Sequence, residues 1–169
     1  EACFTVLTKL LKSGNNVLVT TKPRFSIIQE IDDLLSTYKE QLQFRFTITS
    51  NNERLLAFWE PNAPPFQERI KALKYAFNKK YKTSVSIEPF LDYNPKLLIE
   101  TVSPYSTESI WIGKMNYIPR AYGISEYESS FYDDIRKNYE ISHLKEIYED
   151  FKDFSKVRFK DSVRIKLNL

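Results

Sequence analysis

The residues with chemistry to offer stand at the ends of short apolar runs. Glu88 follows Val85-Ser86-Ile87 and precedes Pro89-Phe90-Leu91. A carboxylate in such a setting is either paired or functional, because burying it alone is costly. Lys22 follows Val17-Leu18-Val19-Thr20-Thr21. An ammonium there fits a carboxylate or a phosphate, and it fits plain solvation equally well. Thr47 and Thr49 share one face of Phe44-Arg45-Phe46-Thr47-Ile48-Thr49-Ser50. Their hydroxyls suit a sugar hydroxyl, or simply a strand's preference for β-branched residues. Glu60 and Arg69 bracket the proline-rich turn Pro61-Asn62-Ala63-Pro64-Pro65 and read as a structural ion pair pinning that turn to the next helix. Lys114 and Asn116 lie just past Ile110-Trp111-Ile112, on the same rim if the strands are parallel. Tyr117, Arg120 and Tyr122 form an aromatic-basic group suited to base stacking or to packing on the helices that follow.

Other reactive types offer less. His143 sits near a helix start without a partner motif and reads as a surface or capping residue; Cys3 reads as a buried apolar residue. One cysteine and one histidine in 169 residues exclude an intrachain disulfide and multi-cysteine or ordinary histidine metal centres. The chain carries no glycine-rich phosphate loop and no nucleophile elbow.

These residues need a frame to bring them together. Four β-rich runs alternate with stretches of helical spacing, the pattern of an α/β fold with a parallel sheet. In such sheets ligands gather at the carboxyl ends of the strands, where Lys22, Thr47, Thr49, Glu88 and Lys114 fall. Phe4, Leu7, Leu10 and Leu11 mark a first helical face, stopped by Gly14. Ile28, Ile31, Leu34 and Leu35 mark a second, with Ser26 and Gln29 as its capping box. Ser50 with Glu53, and Ser125 with Glu128, give the same signature for later helices, and Asn94-Pro95 opens another. Past residue 120 the rhythm becomes helical, with Phe131 and Ile135, then Leu144, Ile147, Phe151 and Phe154. The tail, Val157 to Leu169, reads as a hairpin or edge strand, since Val163, Ile165 and Leu167 alternate with Arg164 and Lys166. Residues 1–120 are thus read as the α/β core and 121–169 as a helical extension with a final strand segment.

A formal charge of +3 is mild and leaves nucleic acid as one partner among several. No run reaches membrane-spanning length and no secretory signal opens the sequence, which points to the cytoplasm. The start at Glu1-Ala2-Cys3, without Met, suggests a piece of a longer protein.

Taken together, the strand motifs resemble the later part of a radical S-adenosylmethionine domain, in the branch of spore photoproduct lyase and the "DNA repair photolyase" proteins. Five stretches carry the likeness. They are Gly14 to Lys22, Phe46-Thr47-Ile48-Thr49-Ser50, Trp59-Glu60-Pro61-Asn62-Ala63-Pro64 with Arg69, Val85-Ser86-Ile87-Glu88-Pro89, and Ile110 to Asn116. The resemblance implies a fragment of a lyase-type enzyme, folded as a partial (β/α) barrel core over residues 1–120, with Lys114 and Asn116 helping to close its mouth. It places Lys22 and Thr47 or Thr49 on S-adenosylmethionine, with Glu88 facing the same cavity. Such enzymes also hold a four-iron four-sulfur cluster through CxxxCxxC, since three thiolates anchor the iron. This chain has Cys3 alone. The expectation is therefore a fragment that is inactive by itself, completed by the missing amino-terminal half of its barrel. Two other readings stay open: a cysteine-free module binding nucleic acid or protein through Lys22, Lys114 and Arg120, and a stand-alone small α/β domain with both sheet edges covered.

Overall fold

The computed structural model describes residues 2–118 and 123–169, so Arg120 and Tyr122 of the aromatic-basic group lie outside the described residues. The elements run α1 (Ala2–Lys12), β1 (Val17–Thr21), α2 (Phe25–Leu35), β2 (Leu42–Thr47), α3 (Glu53–Trp59), α4 (Phe66–Asn78) and β3 (Lys82–Ile87). Then come α5 (Lys96–Val102), β4 (Ile110–Ile112), α6 (Glu126–Asn138), α7 (Ile141–Phe151), β5 (Val157–Phe159) and α8 (Asp161–Leu167). The strands form one five-stranded sheet in the order β1-β2-β3-β4-β5, and every pair is parallel. Each strand thus lies beside its chain neighbour, and right-handed crossovers then put the intervening helices on one face. The fold is α/β, as the alternation of runs predicts.

Register divides the sheet into two unlike faces. Val19 pairs with Phe44, Phe44 with Thr83, Val85 with Ile110 and Ile110 with Val157. Phe44, Phe46, Val85, Ile87, Ile110 and Ile112 on this face are fully buried and join the core supplied by Ile28, Leu73 and Leu98 from the helices. Each such side chain contributes about 1.5–3 kcal/mol by leaving water. Side chains alternate along a strand, so Thr20, Arg45, Ser84, Trp111 and Arg158 look out on the opposite face.

Local signals account for most element ends. Gly14 stops α1 in the left-handed region at φ +80, where a Cβ is penalised. Ser125 and Glu128 form the complete capping box of α6. Two expected boxes are absent, because tertiary partners replace them. The Phe25 amide at the start of α2 donates to the Glu68 carboxylate at 3.0 Å. At α3 the cap is Asn52, while Glu53 reaches away to accept from the Phe66 amide at 2.9 Å. The tail, read as a hairpin or edge strand from Val157, meets that expectation in its first residues only. After β5, itself an edge strand of the main sheet, the chain forms α8 rather than a hairpin. Val163 and Leu167 are four apart and buried, whereas Ile165 between them is 74% exposed. A period of two and an i,i+4 pair share Val163 and Leu167, and only the side of Ile165 tells them apart. The stretch read as an extension therefore supplies the fifth strand of the same sheet. Among the described residues no helix is long and apolar enough to cross a membrane.

Candidate functional site

Parallel strands carry their final residues to one end of the sheet, and two linked groups of polar side chains collect there. The first is built on Glu60, which is nearly buried. Pro23 ends β1 and leaves Lys22 at its tip, where Nζ lies 3.2 Å from Glu60 Oε1. Thr49, two residues beyond β2 and wholly buried, donates its hydroxyl to the same oxygen at 3.0 Å. Arg69 occupies the first turns of α4 with no exposed surface, and its Nη2 lies 2.6 Å from Glu60 Oε2. Its Nε donates to the Pro64 carbonyl at 2.6 Å and its Nη1 to the Thr47 carbonyl at 3.4 Å. Glu60 and Arg69 thus form an ion pair that ties the proline-rich turn to β2. Lys22 differs from its partners: its side chain is 41% exposed. Thr47 lies on the open side of β2 and is half-buried.

Glu88 centres the second group. Its Oε2 lies 2.8 Å from Lys160 Nζ, and its Oε1 accepts from Ser162 at 3.3 Å. Ser162 also accepts from the Lys114 amide at 3.2 Å. The carboxylate lies against Gly113, where an added Cβ would fall 2.5 Å from Glu88 Oε1. Glycine at 113 is therefore a matter of space for Glu88. Main-chain bonds join the tips: Leu91 N to the Thr49 carbonyl at 3.1 Å and Phe90 N to the Gly113 carbonyl at 2.9 Å. Lys114 turns its ammonium back to the Met115 carbonyl at 3.2 Å. Asn116 is exposed and borders a separate shallow cleft of about 290 Å³ with Arg136, Tyr139 and Lys166.

The structure brings Lys22, Thr49, Glu60 and Arg69 into direct contact. Glu88 and Lys114 lie at neighbouring strand tips on the same rim, linked through Ser162. Two other candidates, His143 and Cys3, part from expectation. His143 is buried, its Nε2 2.7 Å from the Tyr93 carbonyl and its ring stacked on Tyr93 at 3.9 Å; it is a packing residue because α7 turns that face inward. Cys3 is exposed, since α1 buries Leu7 and Leu11 instead. Tyr117 is 75% exposed.

Sequence reasoning missed three features. Ser50 donates to Asp92 Oδ1 at 2.7 Å, while Asp92 Oδ2 is buried with no hydrogen-bond partner among the described residues. Burial pushes the Asp92 carboxyl up, and Ser50 offsets only part of the effect. Lys160 and Ser162 went unseen because the alternation of Val163, Ile165 and Leu167 drew the expected tail strand past β5. At the opposite end of the sheet, Asp32 accepts from Tyr75 and Tyr81 at 2.8 Å each and meets Lys79 at 2.9 Å. The signal for Asp32 was available: it stands four residues after Ile28, on the apolar stripe of α2. Among the described residues no three His, Cys, Asp or Glu side chains are grouped to hold a metal ion.

No protein-family model matches the chain, and no solved structure matches it significantly. An uncharacterized protein, ORF301, of Acidianus two-tailed virus is 32% identical to it over 89 residues. The match takes in 53% of this chain and 29% of that protein, so the chain spans less than a third of the relative's length.

Proposed function

We propose that this chain is the carboxyl-terminal part of a (β/α) barrel of the radical S-adenosylmethionine type, and that its strand-tip rim holds the methionyl end of that cofactor. The observation that carries the reading is the Lys22–Glu60–Thr49–Arg69 group. Two cations there meet one carboxylate, leaving a surplus positive charge on the exposed member, Lys22. Lys22 would receive the cofactor's carboxylate, and the Thr47 hydroxyl, on the open side of β2, would receive a polar group beside it. Thr49 acts through Glu60, because its hydroxyl is buried and already committed.

The edge position of β1, beside an open apolar groove, supports an incomplete barrel over a closed small domain. β1 ends the sheet order, and a groove of about 440 Å³ runs beside it, lined by Phe4, Leu7, Val19, Ile27, Ile28 and Ile31. Edge strands of complete domains are ordinarily short, charged or covered.

The iron-sulfur cluster does not fit this chain. Three thiolates are required, and the single cysteine, Cys3, sits exposed on α1. Reductive cleavage of the cofactor is accordingly not assigned to these residues; what they do is bind and orient. Calorimetric titration of S-adenosylmethionine tests the reading. Lys22→Ala is expected to weaken binding at least tenfold and Thr47→Val severalfold. Equal affinities for the parent chain and Lys22→Ala would remove the rim from the cofactor.

A further inference from the structure

The strand tips leave the open face of the sheet unexplained. In a complete, dry barrel the inward positions are filled by bulky apolar side chains. Here Arg45, Lys82, Ser84, Ser86, Trp111 and Arg158 occupy them. Arg45 is the best organised. Its Nε donates to the Ser84 hydroxyl at 3.3 Å, and its guanidinium lies over Trp111, 5.3 Å from the ring centroid. Ser84 and Ser86 are small enough to let it cross β3 to reach the indole on β4. Anchored at Nε and stacked, the guanidinium keeps its two terminal nitrogens as a preorganised fork, and among the described residues no carboxylate pairs with it.

Charge on this face is one-sided. Lys82 is exposed on β3, diagonal to Arg45 across the β2–β3 pair, and is likewise in no ion pair among the described residues. Lys160 approaches Trp111 from β5, 5.9 Å from its centroid, and carries the neighbouring Glu88 as its counter-charge. Like charges on adjacent strands repel unless an anion lies between them. Glu40 lines a small groove at the amino ends of β1 to β3 with Gln43 and Lys82, and among the described residues it pairs with neither.

We infer that the open face carries a phosphate-binding subsite, with the Arg45 fork as its principal donor and Lys82 as a second cation. Ser84 and Trp111 position Arg45 rather than touch the ligand. A tetrahedral oxyanion suits the site, because a fork accepts two of its oxygens at once and its charge approaches that of the two cations. The same chemistry is offered by a free phosphate or phosphomonoester and by the phosphodiester of a single-stranded nucleic acid. The inference needs only the face described, and it stands whether or not the strand tips bind S-adenosylmethionine.

The test follows Trp111 fluorescence in the full 169-residue chain carrying Trp59→Phe, titrated separately with inorganic pyrophosphate and with an oligothymidylate of eight nucleotides. Saturable change with either probe is expected. Arg45→Gln weakens it at least tenfold, Arg45→Lys by an intermediate factor, and Lys9→Gln, on an exposed turn of α1, leaves it unchanged. A response to pyrophosphate alone assigns the site to free phosphate; a tighter one with the oligonucleotide assigns it to phosphodiester. A response reproduced by sodium chloride at equal ionic strength, or one equal in Arg45→Gln and the parent chain, would overturn the subsite. Circular dichroism melts of each variant establish that it is folded.

Discussion

Two nearly buried carboxylates stand at opposite ends of this sheet, each met by a half-exposed lysine. At the amino end Asp32 pairs with Lys79 and accepts from two phenols, so one carboxylate meets one cation and the group is neutral. At the carboxyl end Glu60 pairs with both Lys22 and Arg69, and one carboxylate meets two cations. The two arrangements look alike residue by residue, yet they differ by a whole charge. Tyrosine hydroxyls satisfy Asp32 without adding charge, so that end is closed. Arg69 and Lys22 both pair with Glu60, so that end carries one cation in excess. The balanced cluster fits a structural role; the proposed function gives the unbalanced one an anionic ligand.

The comparison can be broken by substitution. The largest effect is expected from Arg69→Met, which leaves Glu60 buried with Lys22 as its sole cation. Losing one partner of a buried pair costs about 3–5 kcal/mol, measurable by urea denaturation. Asp32→Ala comes next, at about 3 kcal/mol, because the Tyr75 and Tyr81 hydroxyls both lose their acceptor. Asp32 also sets a pH dependence. Burial pushes its carboxyl up, but bonds from Lys79, Tyr75 and Tyr81 outweigh that and hold it below the usual value of 3.8. A depressed native pKa contributes stability that is present above the unfolded value and lost as pH falls through the native one. Asp32→Asn should therefore flatten the fall in melting temperature between about pH 5 and about pH 3.

Smaller effects sharpen the contrast at the carboxyl end. Gly113→Ala forces the Glu88 carboxylate away from Ser162 and should cost about 1–2 kcal/mol, as a local overpacking does. Asp92→Asn should act in the opposite direction. Burial raises the Asp92 carboxyl, so its ionised form opposes folding at neutral pH, and the amide keeps an oxygen for Ser50. A rise in melting temperature of about 2–4 °C at neutral pH, vanishing toward acid, is the expected result.

Much of this frame was legible in the residues, for identifiable reasons. The runs ending at Thr21, Thr47, Ile87 and Ile112 are β-branched or aromatic and are bounded by proline, asparagine or glycine, so β1 to β4 and their polar tips could be read directly. Glu60 and Arg69 were legible because the prolines between them fix a short path. β5 lay within the tail read as a hairpin or edge strand, but its three residues leave too little pattern to fix its bounds. With those bounds went Lys160 and Ser162, the partners of Glu88. The partners of Asp32 come from α4 and the start of β3, and the open-face contacts of Arg45 depend on register across three strands. Neither can be read along one strand or helix alone.

One measurement tests the claim that the strand tips, with their surplus cation, form the ligand site. S-adenosylmethionine is titrated into the isotopically labelled chain, and the amides that shift are mapped. The account predicts saturable shifts at Thr21, Lys22, Thr47 and Gly113, absent in Lys22→Ala and retained in Lys79→Ala. Shifts centred on Asp32, Tyr75 and Tyr81, or the same map in both variants, would contradict it.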